Sequence, residues 1–170
     1  GRSATCMKPQ LKPIEGFDIT EQVIPEYTVT LVPPNYINTV WEDSEKLLQG
    51  GVDKSKERWN IEFLYQSLMT GDQQLWVAFD ENKEIVSVLT TQFIPYPTKL
   101  SLAVQFAGGI ENQTKTSIFS CVLKKLEQYA EESGCDCVEF WGRKGFSQWM
   151  KKAGYQETAV FYEKDINNGR

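Results

Sequence analysis

The sequence contains no histidine at all. That absence excludes a Ser-His-Asp triad, a Cys-His dyad and every His-ligated metal centre. Cysteine is scarce too, with four in the chain. Cys6 lies near the N-terminus and Cys121 falls on an expected helix. Cys135 and Cys137 are expected to point the same way along a strand. Secreted disulfide scaffolds are far richer in cysteine, so free, mostly buried thiols in a reducing, cytoplasmic compartment are expected. Cys135-Asp136-Cys137 has no second cysteine pair to complete a zinc site, so no metal is expected. There is no apolar run of membrane-spanning length, and no membrane association is expected. Basic excess is also missing. The net charge is −5, and an acidic chain lacks the clustered Lys and Arg that phosphate backbones require, so no nucleic acid is expected as a partner.

What is present is an ordinary globular composition, 41% hydrophobic and 24% charged over 170 residues, enough for one substantial core. Residues 1–6, ahead of Met7, read as a cloning scar, residues 7–26 as a proline-bearing arm, 27–166 as the domain and 167–170 as a tail.

Hydrophobic periodicity orders the elements within the domain. Tyr27–Leu31 alternates as a strand. Residues 35–49 have helical spacing, stopped by Gly50-Gly51. Asp53 or Ser55 can cap a second helix carrying Trp59, Phe63, Leu64 and Leu68 and closed by Gly71. Leu75–Phe79 and Ile85–Ile94 form a hairpin, and Leu100–Phe106 a further strand broken by Ala107-Gly108-Gly109. From Thr114 to Glu132 runs the clearest amphipathic helix, capped by Gly134. Lys124-Lys125 and the acidic end Glu127, Glu131 and Glu132 read as its solvated face, and Lys151-Lys152 as solvent-facing. A short strand near Val138–Trp141, a helix over Phe146–Ala153 and a last strand or hairpin over Tyr155–Lys164 complete the chain. The resulting order predicts an α/β fold: a mixed, mostly antiparallel central sheet with helices on both faces.

That element order from Tyr27 to Ile166 resembles the GNAT superfamily of acyl-CoA-dependent N-acetyltransferases. The stretches Glu139-Phe140-Trp141-Gly142-Arg143-Lys144-Gly145-Phe146, Ala153-Gly154-Tyr155 and Thr158–Asp165 resemble divergent GNAT-like proteins of tailed phages. The resemblance implies transfer of an acetyl group from acetyl-CoA to an amine, which can be one on a protein. It also implies that the strand–Gly-Gly–helix unit cradles the cofactor. Backbone groups at Gln105, Phe106 and Ala107 would take the pantetheine arm. Gly108, Gly109 and the helix start with Thr114, Lys115, Thr116 and Ser117 would hold the pyrophosphate, where unsatisfied N–H groups and the positive dipole end favour anions. Arg143 either contacts the 3′-phosphate or sits in a surface loop paired with a carboxylate. Glu139 is the candidate general base, since no histidine is available; its alternative is a strand-edge carboxylate facing solvent or paired with Arg143.

The chain departs from the family in two places. Its loop Gly108-Gly109-Ile110-Glu111 is not the usual Gln/Arg-x-x-Gly-x-Gly/Ala signature. The position of the usual tyrosine acid, five residues before Tyr155, holds Met150, which cannot donate a proton, so another Tyr, Cys137 or water must supply it. A second function class follows: a non-catalytic module of the same fold that docks to a host or virion protein.

Overall fold

The computed structural model describes residues 3–7, 26–109, 115–142 and 144–167. Six strands form one sheet in the order of the chain: β1 (Ser3–Met7), β2 (Glu26–Val32), β3 (Gln74–Phe79), β4 (Ile85–Tyr96), β5 (Lys99–Gly108) and β6 (Cys137–Phe140). Pairing is antiparallel from β1 through β5 and parallel between β5 and β6. The parallel pair requires a crossover, supplied by α3 (Lys115–Glu132). The expected mixed, mostly antiparallel sheet with helices on both faces is what the chain adopts.

Each face buries its own core. On one side α1 (Ile37–Asp53) and α2 (Ile61–Thr70) set Ile37, Leu48, Leu64 and Leu68 against Leu75, Val77, Val88 and Phe106. On the other, α3 sets Ile118, Val122 and Leu126 against Trp76, Leu89, Leu102 and Val104, flanked by α4 (Ser147–Lys152). Alternation along β3 explains the division: Trp76 and Ala78 face α3, whereas Leu75 and Val77 face α1 and α2. Trp76 is fully buried, and its indole Nε1 donates to Thr91 Oγ1 at 2.9 Å, which in turn donates to Gln74 Oε1 at 2.9 Å. The buried indole is thus both packed and satisfied.

Several sequence expectations are corrected. Gly50-Gly51 does not stop α1, which continues to Asp53. Neither Asp53 nor Ser55 caps the next helix; Asn60 does, its side chain accepting from the Phe63 N–H at 2.8 Å, so Trp59 lies in the connection and not on α2. Asn60→Ala should lower stability by about 1 kcal/mol, measured by urea titration. Cys135 and Cys137 do not share a side. The turn before β6 places Cys135 against the α3 core, whereas the Cys137 thiol donates to Ser101 Oγ at 3.4 Å. Burial pushes the Cys135 thiol up. Lys125 is buried at 6% exposure, unlike its exposed neighbour Lys124.

The expected last strand or hairpin over Tyr155–Lys164 is absent. The segment is largely exposed and pairs with no strand among the described residues. Alternating residues become a strand only where an edge receives them. Here Glu163 is held instead by Arg58 at 3.1 Å and Lys56 at 3.8 Å, and the Arg58 guanidinium lies 4.9 Å from the Phe161 ring centroid. At the other terminus, β1 covers residues assigned no element from sequence, and it pairs along β2 from Ser3↔Thr30 to Met7↔Glu26.

Candidate functional site

The site is built where β5 and β6 part. Their parallel register runs from Ser101↔Cys137 to Val104↔Phe140 and ends there, with the Trp141 N–H reaching the Val104 carbonyl at 3.5 Å. β5 continues to Gly108, so its edge from Gln105 onward has no strand partner on the β6 side among the described residues. A β-bulge coincides with this parting. Thr90 pairs with Phe106 and Thr91 with Val104, which leaves Gln105 as the extra residue. A bulge bends its strand and interrupts the ladder.

Side chains repair the interruption. The Phe106 N–H donates to Thr90 Oγ1 at 3.2 Å, and Ser87 Oγ donates to the Gly108 carbonyl at 3.1 Å. Thr90 and Ser87 are fully buried, so without these bonds a backbone amide and a carbonyl would lose partners in the core. Neither residue was singled out from sequence. The only available signal was a hydroxyl residue within a hydrophobic strand.

The Gly-Gly pair has a definite structural task. A Cβ on Gly108 would lie 1.9 Å from the Leu47 carbonyl oxygen, because α1 packs its backbone onto this point of β5. Gly109 has φ +84°, and a Cβ there would lie 2.3 Å from the Val86 carbonyl oxygen. The close approach that these glycines permit is therefore to α1 and β4. Phe106 is a core residue, edge-on to Trp59 with centroids 5.9 Å apart. A Cβ on Gly51 would make only an ordinary contact, 3.5 Å, with the Ala107 carbonyl oxygen, so the close seating of α1 on β5 is set at Gly108.

Gln105 and Glu139 come together on one face. Gln92, Ala103 and Glu139 occupy one rung across β4, β5 and β6, and Gln105 Nε2 donates to Gln92 Oε1 at 3.2 Å. Glu139 is partly buried, and its Oε2 accepts from Tyr96 Oη at 3.1 Å. That hydrogen bond holds the Tyr96 phenol above its usual range, so Tyr96 remains a donor at neutral pH. Of the other residues singled out from sequence, Thr114 and Arg143 lie outside the described residues. Lys115, Thr116 and Ser117 form the first turn of α3, with their side chains outside the description. Met150, at the position of the usual acid, packs partly buried against the α3 core.

Beyond the parting, Phe140, Phe146, Phe119 and Trp149 form one aromatic cluster with centroid separations of 5.8–6.5 Å. Phe119 and Trp149 also line a groove of ≈ 300 Å³ between α3 and α4, with Lys124, Lys152 and Glu127 on its walls. Beside it the Tyr155 hydroxyl is buried with no hydrogen-bond partner. Burial first, and then the Glu127 charge, push the Tyr155 phenol well above its usual range. Burial likewise raises the Glu127 carboxyl, against the opposing pull of Lys124.

Comparison with solved structures finds the same fold in acetyltransferases. An aminoglycoside acetyltransferase from an uncultured soil metagenomic sample matches with a TM-score of 0.61 at 18% identity, covering 83% of this chain and 97% of that one. The fold is that of the GNAT acetyltransferases. The aminoglycoside 6′-N-acetyltransferase AAC(6′)-Ih from Acinetobacter baumannii matches with a TM-score of 0.56 at 12% identity, covering 83% of this chain and 99% of that one. A transcriptional regulator from Bacillus halodurans C-125 matches equally well, with a TM-score of 0.56 at 16% identity over 82% of this chain and 99% of that one. No family model matches the sequence, and no curated protein does. At these identities the GNAT-like chain shares a fold with its neighbours, and function has to be argued from the site.

Among the described residues no group of three or more Cys, Asp or Glu side chains could hold a metal ion, and no helix is long and apolar enough to cross a membrane.

Proposed function

We propose that this chain is an N-acyltransferase that takes an acetyl group from acetyl-CoA to an amine. The observation that carries this reading is the parting of β5 from β6 at a bulge, which leaves the backbone edge from Gln105 to Gly108 without a strand on the β6 side among the described residues. Such an edge offers hydrogen-bonding groups to an extended, amide-bearing arm, so the residues present fit the group. Bound acetyl-CoA supplies an activated acyl thioester. The backbone of Gln105, Phe106 and Ala107 holds and orients the arm. The start of α3, with Thr114, Lys115, Thr116 and Ser117, holds the pyrophosphate, and Arg143 binds a phosphate. Glu139 keeps Oε2 occupied by Tyr96 and has Oε1 left to accept the proton of an incoming amine. The acceptor includes protein amines, and the chain acts in the cytoplasm, that of a bacterial host for a phage-borne copy.

Acetyl-CoA at about a hundredfold excess over its Kd should stabilise the domain by about 2.7 kcal/mol, which is about 5–10 °C in Tm at this size. Calorimetry should show saturable heat. Neither heat nor a shift at millimolar acetyl-CoA would sink the reading.

One observation favours a second reading, a non-catalytic module that binds a host or virion protein. Met150 stands where the fold's usual acid would, and it packs partly buried against the α3 core. The same titration separates the two, because the module requires no acetyl-CoA.

A further inference from the structure

The outer side of the α1–α2 pair carries a cleft of ≈ 180 Å³ lined by Trp41, Glu45, Ile61, Glu62, Tyr65 and Gln66. The helical repeat explains why these residues meet. Trp41 and Glu45 are one turn apart on α1, as are Ile61 with Tyr65 and Glu62 with Gln66 on α2. The Trp41 and Tyr65 rings lie 5.1 Å apart between centroids and are inclined at 50°. Tyr65 is held in place by its hydroxyl, which donates to Asn38 Oδ1 across the two helices. The cleft is therefore walled by two aromatic rings, one of them fixed, and edged by two carboxylates.

Those carboxylates lack a cation. Among the described residues neither Glu45 nor Glu62 forms an ion pair, although Glu45 is partly buried. The neighbouring Lys46 is engaged by Glu42 at 3.7 Å, and no Lys or Arg lines the cleft. Two carboxylates edging one cleft leave its negative charge without a facing cation there. Ring faces carry the negative side of the aromatic quadrupole, so rings and carboxylates favour the same sign of ligand. Neutral apolar groups would gain from the rings alone.

We propose that the α1–α2 cleft binds a small organic ammonium group, on either a free amine or a lysine side chain. No residue of β5 or β6 lines it, so the proposal stands apart from the acyl-transfer reading and from the outcome of the acetyl-CoA titration.

The test is an NMR titration of the intact chain, following the Trp41 indole N–H signal, assigned by its loss in Trp41→Phe. Choline is compared with 3,3-dimethyl-1-butanol, its neutral isostere, and N-acetyl-lysine methylamide with the norleucine analogue. Both cations should shift the Trp41 signal saturably, and each neutral analogue should bind about 10-fold more weakly. Glu45→Gln should weaken cation binding by about 3- to 10-fold while leaving the neutral analogues unchanged. Tighter binding of the lysine derivative than of choline assigns the natural ligand to a peptide lysine, and the reverse assigns it to a free ammonium compound. Equal binding of cation and neutral isostere overturns the proposal, as does an unshifted Trp41 signal with either cation. Unaltered cation binding in a folded Glu45→Gln protein removes the carboxylate from it and overturns it likewise.

Discussion

Gly108→Ala should fail to yield a stable folded domain, whereas Gly50→Ala, in the chain's other Gly-Gly pair, should be harmless or mildly stabilising. The added methyl at Gly108 would meet the Leu47 carbonyl oxygen at 1.9 Å, the Leu47 carbonyl carbon at 2.6 Å and its Cα at 3.3 Å. All three are backbone atoms of α1, so no side-chain rotation relieves the clash. The helix itself must lift, taking Leu48 and Val52 out of their core. Overpacking of side chains costs about 1–3 kcal/mol. Displacing a packed helix should cost about 4 kcal/mol or more, a large part of the roughly 5–15 kcal/mol available to a domain. A Cβ on Gly50 meets nothing within 4 Å, and the residue lies inside α1. Alanine there should gain about 0.5–1 kcal/mol by reducing backbone entropy in the unfolded chain. Thermal melts of the two variants check the contrast. A Gly108→Ala protein that melts with the parent would mean that α1 does not seat on β5 as described. The contrast also shows why bulky substitutions at Gly108 and Gly109 cannot separate catalysis from partner binding: they test folding first.

The two glycine pairs show where sequence reading succeeds and where it fails. Periodicity reports which side of an element is apolar, and so the strands and helices between Tyr27 and Phe140 were legible, as was the two-faced sheet. A glycine pair reports only that a side chain is unwanted. At Gly50-Gly51 an added Cβ meets nothing at one position and an ordinary contact at the other, and the helix runs through; at Gly108-Gly109 the reason is the approach of α1 and β4 from outside. Local pattern is the same in both cases, and the distinction lies in residues distant in the chain. The segment Tyr155–Lys164 failed in the opposite sense. Its alternation is sound, but a strand needs an edge, and alternation says nothing about whether one is offered.

The site was legible to a similar depth. Gln105 and Glu139 were named because the family resemblance implied a cofactor cradle where two strands part; Gln105 lies on β5 and Glu139 on β6 beside that parting. The Tyr96–Glu139 hydrogen bond joins residues 43 apart in sequence, a pairing set by the lengths of β4 and β5 and by no local motif. The bulge was invisible altogether. Leu100–Phe106 reads as an uninterrupted strand, and the extra residue shows only when counted against β4.

That count leads to a deletion that should remove acetyl-CoA binding without unfolding the protein. Removing Gln105 leaves Thr91↔Val104 and Thr90↔Phe106 as consecutive pairs in a regular ladder. Val104 already faces α3 and Phe106 already faces α1 and α2, the alternation that two adjacent strand residues adopt. Inward and outward faces are therefore preserved. A deletion in an unbulged strand behaves differently, because it turns every following side chain to the wrong side. Gly108 remains opposite Val88, and β6 remains paired through Val104. Only the bend is lost. Without it β5 runs straight, the Phe106 N–H regains a ladder position in place of its Thr90 hydroxyl partner, and the edge that parted from β6 is no longer splayed. Tm should stay within about 5 °C of the parent, while acetyl-CoA affinity falls by about 100-fold or more, since near-attack placement of an extended arm depends on edge geometry to within about an ångström. Calorimetry and thermal melts on the same preparation give both quantities. A folded deletion variant that binds acetyl-CoA like the parent would show that the bulge does not form the binding edge, and would return Gln105 to the status of a surface residue bonded to Gln92.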